Sequence, residues 1–389
     1  MIEPTDDAYL YGYELVLANT DGLTERRQVF LEPLSPAESR PGILSFPIEG
    51  STGRVAVWLF PNDPSLPALR AVTDVESAAA ALGGLGVTIE PITTTVVSYR
   101  PGHRAVVRVT SAEKTIFVKV VEPGKAQSIA ERHELFRASG IPVPRLLGWS
   151  ADGLIAMTAL PGVDAQTVIG RRSDLGLASE QPLALLQTVF PEQAVFLEQI
   201  EFLSSLLAGV PSINTARPSL FDRLDWYVDR LAEQLPENRE RIESLGAEIL
   251  ARGREGRGFE FTPVTIHGDL HIGQIFVDES SPSLLAGLLD IDTAGTGDPA
   301  DDAAALYAHL ATFGESLADI DPAASARCLD LADAWLARWR FNSNAGFDSR
   351  ARAIAATHLL GHALRPLSAD PDALGRRLLD RAQSLVSYG

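Results

Sequence analysis

A cluster of acids, histidines and an amide lies late in the sequence. The stretch HGDLH at residues 267–271 places two of the chain's seven histidines on either side of an aspartate, in a segment that interrupts helical periodicity. Gln274 follows, and Asp290 ends the next apolar run. Carboxylates with an amide between them suit a hard divalent cation that keeps several waters and binds substrate phosphates. These residue types therefore predict a site for a hard divalent cation and substrate phosphates.

Short strands are needed to bring these residues together, and the sequence predicts three of them. They are Val264 to Ile266, Gln274 to Val277 and Leu284 to Leu289. A hairpin between the last two would return Asp290 to the neighbourhood of Asp269 and Gln274. Asp298 precedes Pro299 as a helix N-cap would. Aspartates often cap turns, which would explain Asp298 but not the paired histidines around Asp269.

A lysine in an apolar strand is the second candidate for chemistry. The run TIFVKVV alternates as a half-buried strand, with Lys119 in its middle. The other lysines, Lys114 and Lys125, lie in a predicted turn and loop, and arginine supplies the remaining thirty of the 33 basic residues. A compact point charge at this position indicates a specific role. The alternative is a strand-edge lysine whose ammonium group reaches water.

The order of predicted elements gives an α+β fold. Three β-rich runs follow one another between residues 92 and 121, then a helix ends at Gly140, and a further strand lies in GLIAMTALPG. From about residue 165 the periodicity is helical, with one stripe formed by Phe196, Ile200, Leu203 and Leu207. We predict three parts: an N-terminal extension (1–90), a β-rich lobe (91–160) and a mainly helical lobe (161–389).

Composition narrows the classes of partner. The net charge of −18 argues against nucleic acid and anionic membranes, and it permits a cationic small molecule. One cysteine, Cys328, excludes an intrachain disulfide and a cysteine metal cluster, and it lies in a predicted amphipathic helix. The acidic N-terminus and the lack of a long apolar run predict a cytoplasmic protein. The sequence does not indicate an oligomeric state.

The strings HGDLHIGQ and LLDIDTAGTGDPADD resemble the aminoglycoside phosphotransferase and choline kinase superfamily. These are small-molecule kinases with a bilobal, protein-kinase-like fold. Gln274 stands where most members have asparagine, and HIGQ is similar to the His-x-Gly-Gln of maltokinases and actinobacterial glucosamine kinases. The sequence after Leu288 is closer to the aminoglycoside phosphotransferase pattern. The resemblance spans roughly residues 95 to 370 and is specific in the 267–302 segment.

The resemblance implies a role for each residue of the cluster. Asp269 would accept or orient the substrate hydroxyl, while Gln274 and Asp290 would hold Mg²⁺ against the phosphates of ATP. Asp292 could contact metal or substrate. Three further residues would support the loop without reacting: His267, His271 and Asp302. Asp302 would do so by hydrogen bonding back to the catalytic loop.

The resemblance also assigns the nucleotide site to the β-rich lobe. Lys119 matches the lysine that holds the α- and β-phosphates, with a glutamate from the next helix beside it. Either Glu131 or Glu134 could be that partner, and we prefer Glu131, which shares a helix face with Leu135. Met157 to Ala159 fall where backbone groups would meet adenine. The turn Arg100 to His103 takes the place of the phosphate-covering loop, without its glycine pattern.

Several functions remain open at this point. A protein kinase is disfavoured because fewer than ten residues separate Asp290 from Pro299, too few for a peptide-docking activation segment. A catalytically inactive kinase fold that serves as a binding module is a second possibility. Among enzymes, a sugar or amino-sugar kinase leads, followed by an antibiotic or amino-alcohol phosphotransferase. Acids in the helical region could receive ammonium groups or be solvated helix faces: Glu198, Glu201, Asp222 and Asp225.

Overall fold

The computed structural model describes residues 2–4, 9–18, 24–34, 44–50, 53–170, 193–211, 214–259, 261–278, 285–342, 345–364 and 371–387. The chain forms two compact units. The first comprises Met1–Glu134 and Pro144–Ala159, and the second comprises Leu135–Val143 and Leu160–Gly389. The N-terminal residues thus belong to the same unit as the β-rich lobe. The separate three-part division with a boundary at residue 90 stays a prediction.

Two antiparallel sheets form the first unit. The N-terminal sheet has the order β1-β2-β3-β5-β4, and the second sheet has the order β6-β7-β8-β10-β9. The strands of the N-terminal sheet are β1 (Ile2–Pro4), β2 (Tyr9–Ala18), β3 (Thr24–Leu34), β4 (Leu44–Pro47) and β5 (Arg54–Leu59). Those of the second are β6 (Thr93–Arg100), β7 (Arg104–Thr110), β8 (Thr115–Val121), β9 (Leu146–Trp149) and β10 (Leu154–Thr158).

Helices cover the second sheet. A 3₁₀ turn (Leu69–Val72) and α1 (Val75–Gly84) contribute to a core with the inner residues of β7, β8 and β10. Asp74 caps α1 by accepting the backbone N–H of Ser77. Helix α2 (Ala126–Ala138) packs Ala126 and Ile129 against Val121, Ile155 and Met157. The predicted three-strand meander, the following helix and the returning strand are confirmed.

The second unit is mainly helical, with two small sheets. Its helices are α3 (Ala165–Gly170), α4 (Gln193–Ala208), α5 (Leu224–Gln234), α6 (Arg239–Arg257), α7 (Pro299–Leu317), α8 (Pro322–Asn342), α9 (Ala345–Ala363) and α10 (Pro371–Ser387). Its strands are β11 (Val163–Asp164), β12 (Val264–Ile266), β13 (Ile275–Val277), β14 (Leu285–Leu288) and β15 (Gly295–Gly297). Short 3₁₀ turns lie at Leu220–Arg223, Pro236–Asn238 and Ile291–Thr293. The sheets have the orders β11-β13-β14 and β12-β15.

A single apolar core joins the helices of the second unit. The predicted stripe on α4 is confirmed, since Phe196, Ile200, Leu203 and Leu207 are all buried. Helix α7 is central and alanine-rich, and it contacts both α8 and α9. Cys328 is buried on α8, and burial raises the pKa of its thiol to about 12. Within the described residues, no helix is long and apolar enough to cross a membrane.

Candidate active site

The loop between β12 and β13 carries the central motif. At its start Gly268 has a φ of +82°, a left-handed conformation that glycine adopts without strain. A Cβ at this position would lie 2.6 Å from the backbone oxygen of Thr293. The Thr293 hydroxyl donates in turn to the His267 carbonyl at 2.9 Å. Close packing against the turn that follows β14 therefore fixes the beginning of the loop and requires a glycine.

A buried carboxylate holds the same loop from the other side. Asp302, in the first turn of α7, accepts the backbone N–H of His267 at 2.6 Å and that of Gly268 at 2.8 Å. Burial raises the pKa of Asp302, against the lowering effect of His267 and of the two backbone donors. Hydrogen bonding between Asp302 and the loop is expected from the family resemblance. It is present, with Asp302 as the acceptor. Asp298 caps the helix by accepting from Ala300 N, as predicted.

Asp269 faces an arginine that the sequence analysis missed. Its carboxylate lies 3.3 Å from a guanidinium nitrogen of Arg217, and both side chains are partly exposed. Arg217 is positioned through its backbone, since its N–H donates to Thr293 O at 3.0 Å. The preceding Ala216 N–H donates to Thr296 O. No local sequence signal marks Arg217, because its proximity to Asp269 arises only when this segment pairs beside β15.

Gln274 and Asp290 are brought together by the predicted hairpin. Strands β13 and β14 pair antiparallel, with Ile275 opposite Leu288, and Leu289 N–H donates to the Gln274 carbonyl at 2.9 Å. Asp290 follows directly, with a φ of +55° that is the only positive value for a non-glycine residue in the described part of the chain. Strained residues of this kind concentrate at functional sites. The hairpin prediction is confirmed.

The side chains of Gln274 and Asp290 fit Mg²⁺ as ligands, and one observation supports this fit. The side-chain oxygen of Gln274 is buried and accepts no hydrogen bond from any residue that the structure describes. A buried carbonyl oxygen left without a donor is costly. A hard cation accepts such an oxygen together with a carboxylate as ligands. Gln274 and Asp290 are thus suited to hold the metal, and Asp292 lies in the 3₁₀ turn immediately after them.

Both histidines of the motif are engaged in the loop. His267 Nε2 lies 2.8 Å from the Leu289 carbonyl, on the returning strand. His271 Nδ1 accepts the Gly273 N–H at 3.1 Å, and its ring stacks on that of His309. Burial is the main cause that lowers the pKa of His271, and the nearby Asp269 carboxylate opposes it. These contacts are compatible with residues that brace the loop, and that role stays a prediction for both.

The predicted nucleotide residues lie on one sheet of the first unit. Lys119 is on β8, opposite Val106 on β7 and Ile155 on β10, and only 6% of it is exposed. Met157 is buried two residues along β10 from Ile155, and therefore on the same face of the sheet as Lys119. Ala159 is exposed just beyond the strand. The lysine is thus well inside the sheet rather than at a strand edge.

The predicted orientation of Glu131 is wrong. On α2 the residues that point inward include Arg132 and His133, whereas Glu131 and Glu134 are both exposed. The Glu131 carboxylate accepts a hydrogen bond from Gln127 at 2.8 Å, one turn earlier on the same helix. The helix is rotated relative to our expectation because buried Ile129, which packs in one cluster with Val121 and Ile155, sets its inner face. The choice of a glutamate partner for Lys119 stays a prediction.

A second buried aspartate, also missed, supports the turn Arg100 to His103. Asp63 is 2% exposed and accepts hydrogen bonds from the Tyr99 hydroxyl at 2.8 Å and from Gly102 N–H at 2.7 Å. Its other oxygen accepts Ser65 N–H at 2.8 Å. In the sequence Asp63 lies between an asparagine and a proline, which indicates only a turn. It is the residue that fixes the backbone of the candidate phosphate-covering turn.

Two of the four acids proposed to receive ammonium groups already have basic partners. Glu201 pairs with Arg338 at 2.7 Å, and Asp222 pairs with Arg257 at 2.5 Å. Glu198 and Asp225 are exposed on helix surfaces. Glu201 and Asp222 are therefore already paired, and the exposure of the other two fits the alternative of solvated helix faces.

Comparison with known proteins identifies the family. The family model described as "Phosphotransferase enzyme family" matches residues 100–340, which is more than half of the chain. The chain belongs to this family. Its members are kinases that use ATP and Mg²⁺ to phosphorylate hydroxyl groups of small molecules, so this phosphotransferase is an enzyme. No curated protein matches it in sequence.

A solved aminoglycoside phosphotransferase structure supports the protein-kinase-like fold at a TM-score of 0.50. A thermostable mutant of aminoglycoside phosphotransferase APH(4)-Ia, in a ternary complex with AMP-PNP and hygromycin B, is 13% identical with a TM-score of 0.50, and the match covers 81% of this chain and 99% of that one. Macrolide 2'-phosphotransferase MphH from Brachybacterium faecium is 16% identical over 81% and 99% of the chains, with a TM-score of 0.45. Aminoglycoside-3'-phosphotransferase of type VIII is 20% identical over 68% and 93%, with a TM-score of 0.41.

Proposed function

We propose that this phosphotransferase transfers the γ-phosphoryl group of ATP to a hydroxyl on a sugar ring, with Asp269 as the catalytic base. The observation that carries the proposal is the geometry around the hairpin. Gln274 offers a buried oxygen that accepts no hydrogen bond among the described residues, and Asp290 follows the strand paired with it. A metal there would neutralise charge on the phosphates. Gln274 and Asp290 would hold it.

Asp269 would act on the acceptor hydroxyl. Its carboxylate takes the hydroxyl proton or orients it, the acceptor oxygen forms the new bond to the γ-phosphorus, and the bond from that phosphorus to the β-γ bridging oxygen breaks to release ADP. Arg217, at 3.3 Å from the carboxylate, would keep Asp269 in position. Lys119 would bind the α- and β-phosphates, and the turn Arg100 to His103 would lie over them.

The Arg217 guanidinium beside Asp269 favours an acceptor with little positive charge close to the reacting hydroxyl. Arg217 lies beside the catalytic aspartate, and arginines neutralise Glu201 and Asp222. A polycationic acceptor would meet repulsion from Arg217 and would find these acids already paired. We therefore place a neutral sugar or a singly charged amino sugar first.

An aminoglycoside or macrolide is the second candidate. The specific reason is that the compared structures include enzymes named for these acceptors, one of them in complex with hygromycin B. An amino alcohol is a further alternative within the same chemistry. All of these acceptors present a hydroxyl, so the proposed roles of Asp269, Gln274 and Asp290 do not depend on the choice.

A coupled assay of ADP release tests the proposal. Purified protein would be given ATP and Mg²⁺ with glucose, maltose, glucosamine, an aminoglycoside, a macrolide or choline. Asp269→Asn, which keeps the shape of the side chain, is the blank, and its nucleotide binding is measured by calorimetry. We expect release above the blank with a sugar or amino sugar. Release that persists unchanged in Asp269→Asn would overturn the assignment of the base, and release with polycationic aminoglycosides alone would overturn the acceptor class.

A further inference from the structure

Three histidines outside the motif form a compact group in the second unit. His309 lies on α7, and His358 and His362 lie four residues apart on α9. A spacing of four places two side chains on one face of a helix. One ring nitrogen from each of the three histidines lies within 4.8 Å of the other two. Four of the chain's seven histidines meet here, because His309 also stacks on His271 of the catalytic loop.

The surroundings suit imidazoles that act as ligands. His358 is buried, with 5% of it exposed. His362 Nδ1 lies 2.7 Å from the hydroxyl of buried Thr312, which is one turn after His309 on α7. When Nδ1–H donates to that hydroxyl, Nε2 keeps its lone pair. Metal-binding histidines are oriented by such a contact on their second nitrogen.

We propose that His309, His358 and His362 form a binding site for a borderline transition-metal ion, Zn²⁺ in the first place. Three histidine nitrogens with one open position are an established zinc coordination. Tetrahedral bonds of about 2.0–2.1 Å would separate the ligand nitrogens by about 3.4 Å. The three rings, with one nitrogen of each within 4.8 Å of the others, would have to move closer by about 1 Å to bind the ion. Imidazole nitrogen discriminates against Mg²⁺, which prefers oxygen ligands.

The site would be coupled to catalysis through ring stacking. The rings of His271 and His309 are 4.3 Å apart between centroids, at an angle of 24°. His271 is two residues from Asp269 and accepts the Gly273 N–H within the loop. A metal bound to His309 would fix that ring and thereby restrict His271. The three histidines would act on the loop through the stacking of His309 on His271. They are therefore positioning residues and not catalytic residues.

Cobalt titration of the untagged full-length protein tests the site directly. Co²⁺ substitutes for Zn²⁺ and gives visible absorption bands that report nitrogen ligation, and excess Mg²⁺ keeps the catalytic site occupied. We expect one Co²⁺ per chain, displaced by Zn²⁺. His309→Gln and His362→Gln should each weaken binding at least 100-fold, and Thr312→Val should weaken it about 10-fold. His103→Gln, in the first unit, is the matched control and should bind as the wild type does.

The readout is independent of turnover, so it stands apart from the test of the proposed function. Absence of the cobalt bands in the wild-type protein would overturn the proposal. So would equal affinity in His309→Gln and His362→Gln variants whose circular dichroism shows that they are folded. A wild-type protein that binds Co²⁺ while Asp269→Asn still turns over would retain the metal site and remove the proposed base.

Discussion

Two loops of the molecule, one in each unit, are built on the same plan and differ in how firmly they are enclosed. The turn Arg100 to His103 and the catalytic loop each contain a glycine in a left-handed conformation, with φ of +76° for Gly102 and +82° for Gly268. In each, a buried aspartate from a distant part of the sequence accepts a backbone N–H: Asp63 in the first unit and Asp302 in the second. A carboxylate can serve there because it accepts several hydrogen bonds at once.

The difference lies in packing. A Cβ on Gly102 would meet no atom within 4 Å, whereas one on Gly268 would approach the Thr293 oxygen to 2.6 Å. The turn in the first unit therefore leaves open space at Gly102, although Pro101 beside it is buried. The catalytic loop is held by hydrogen bonds and by contact on both sides. This contrast suits a turn that would cover a nucleotide and a loop that would hold a base in fixed geometry.

Among the variants that test this comparison of the two loops, Asp302→Ala is expected to lose the most turnover. The substitution removes the acceptor of two backbone N–H groups, those of His267 and Gly268. We expect the free energy of unfolding to fall by roughly 2–4 kcal/mol, because a buried donor without a partner costs about 1–3 kcal/mol. We expect kcat to fall about 100-fold through displacement of the loop. Urea unfolding and steady-state kinetics measure both, and wild-type kcat in the variant would contradict the anchoring role.

The two glycines give the next largest effect, as a matched pair. Gly268→Ala combines left-handed strain with a clash, and we expect a loss of roughly 2–5 kcal/mol in stability and about 10-fold in kcat. Gly102→Ala carries only the left-handed strain, about 1–2 kcal/mol, and should leave kcat within about 2-fold. Thermal unfolding and steady-state kinetics of both variants compare how tightly packing surrounds the two loops. Equal losses would show that packing against Thr293 does not distinguish them.

Asp63→Asn should act on ATP binding more than on turnover. The amide keeps one acceptor oxygen but presents a donor to the N–H or hydroxyl groups that Asp63 now accepts from. We expect the KM for ATP to rise about 5-fold with kcat nearly unchanged, because the turn Arg100 to His103 would lose its anchor. Tyr99→Phe, which removes only the hydroxyl donor, is the control and should cost less. A fall in kcat at unchanged KM would place the turn elsewhere in the mechanism.

The comparison also shows which parts of the site are readable in the sequence. Asp302 and the hairpin of Gln274 and Asp290 follow from a motif and from strand alternation, both of which are local. Asp63 and Arg217 act on loops that are distant in the chain, and their own neighbourhoods indicate only turns. The rotation of α2 exposes Glu131, and it depends on which apolar residues of the helix pack against the sheet. Tertiary packing decides such placements, so local spacing does not predict them.

The smallest effect on turnover, and a clear one on stability, is expected at Asp301. Burial raises the pKa of Asp301 to about 7. The hydrogen bond that Asp301 accepts from the Ser219 hydroxyl at 2.5 Å opposes this shift. Between about pH 4 and pH 7 the folded state therefore binds more protons here than the unfolded state, and stability falls as the pH rises. In Asp301→Asn, the decrease in the free energy of unfolding with rising pH should be smaller by up to about 4 kcal/mol, and kcat should be unchanged.

Urea unfolding at a series of pH values measures the difference between wild type and Asp301→Asn. Ser219→Ala is the informative companion variant, because loss of its hydroxyl removes the contact that lowers the pKa of Asp301. In Ser219→Ala the loss of stability should extend to higher pH than in the wild type. Parallel pH profiles for all three proteins would mean that Asp301 is ionised at little cost. Asp301 would then cause no electrostatic destabilisation beside Asp302. The anchoring of the loop by Asp302 would rest on its two backbone hydrogen bonds alone.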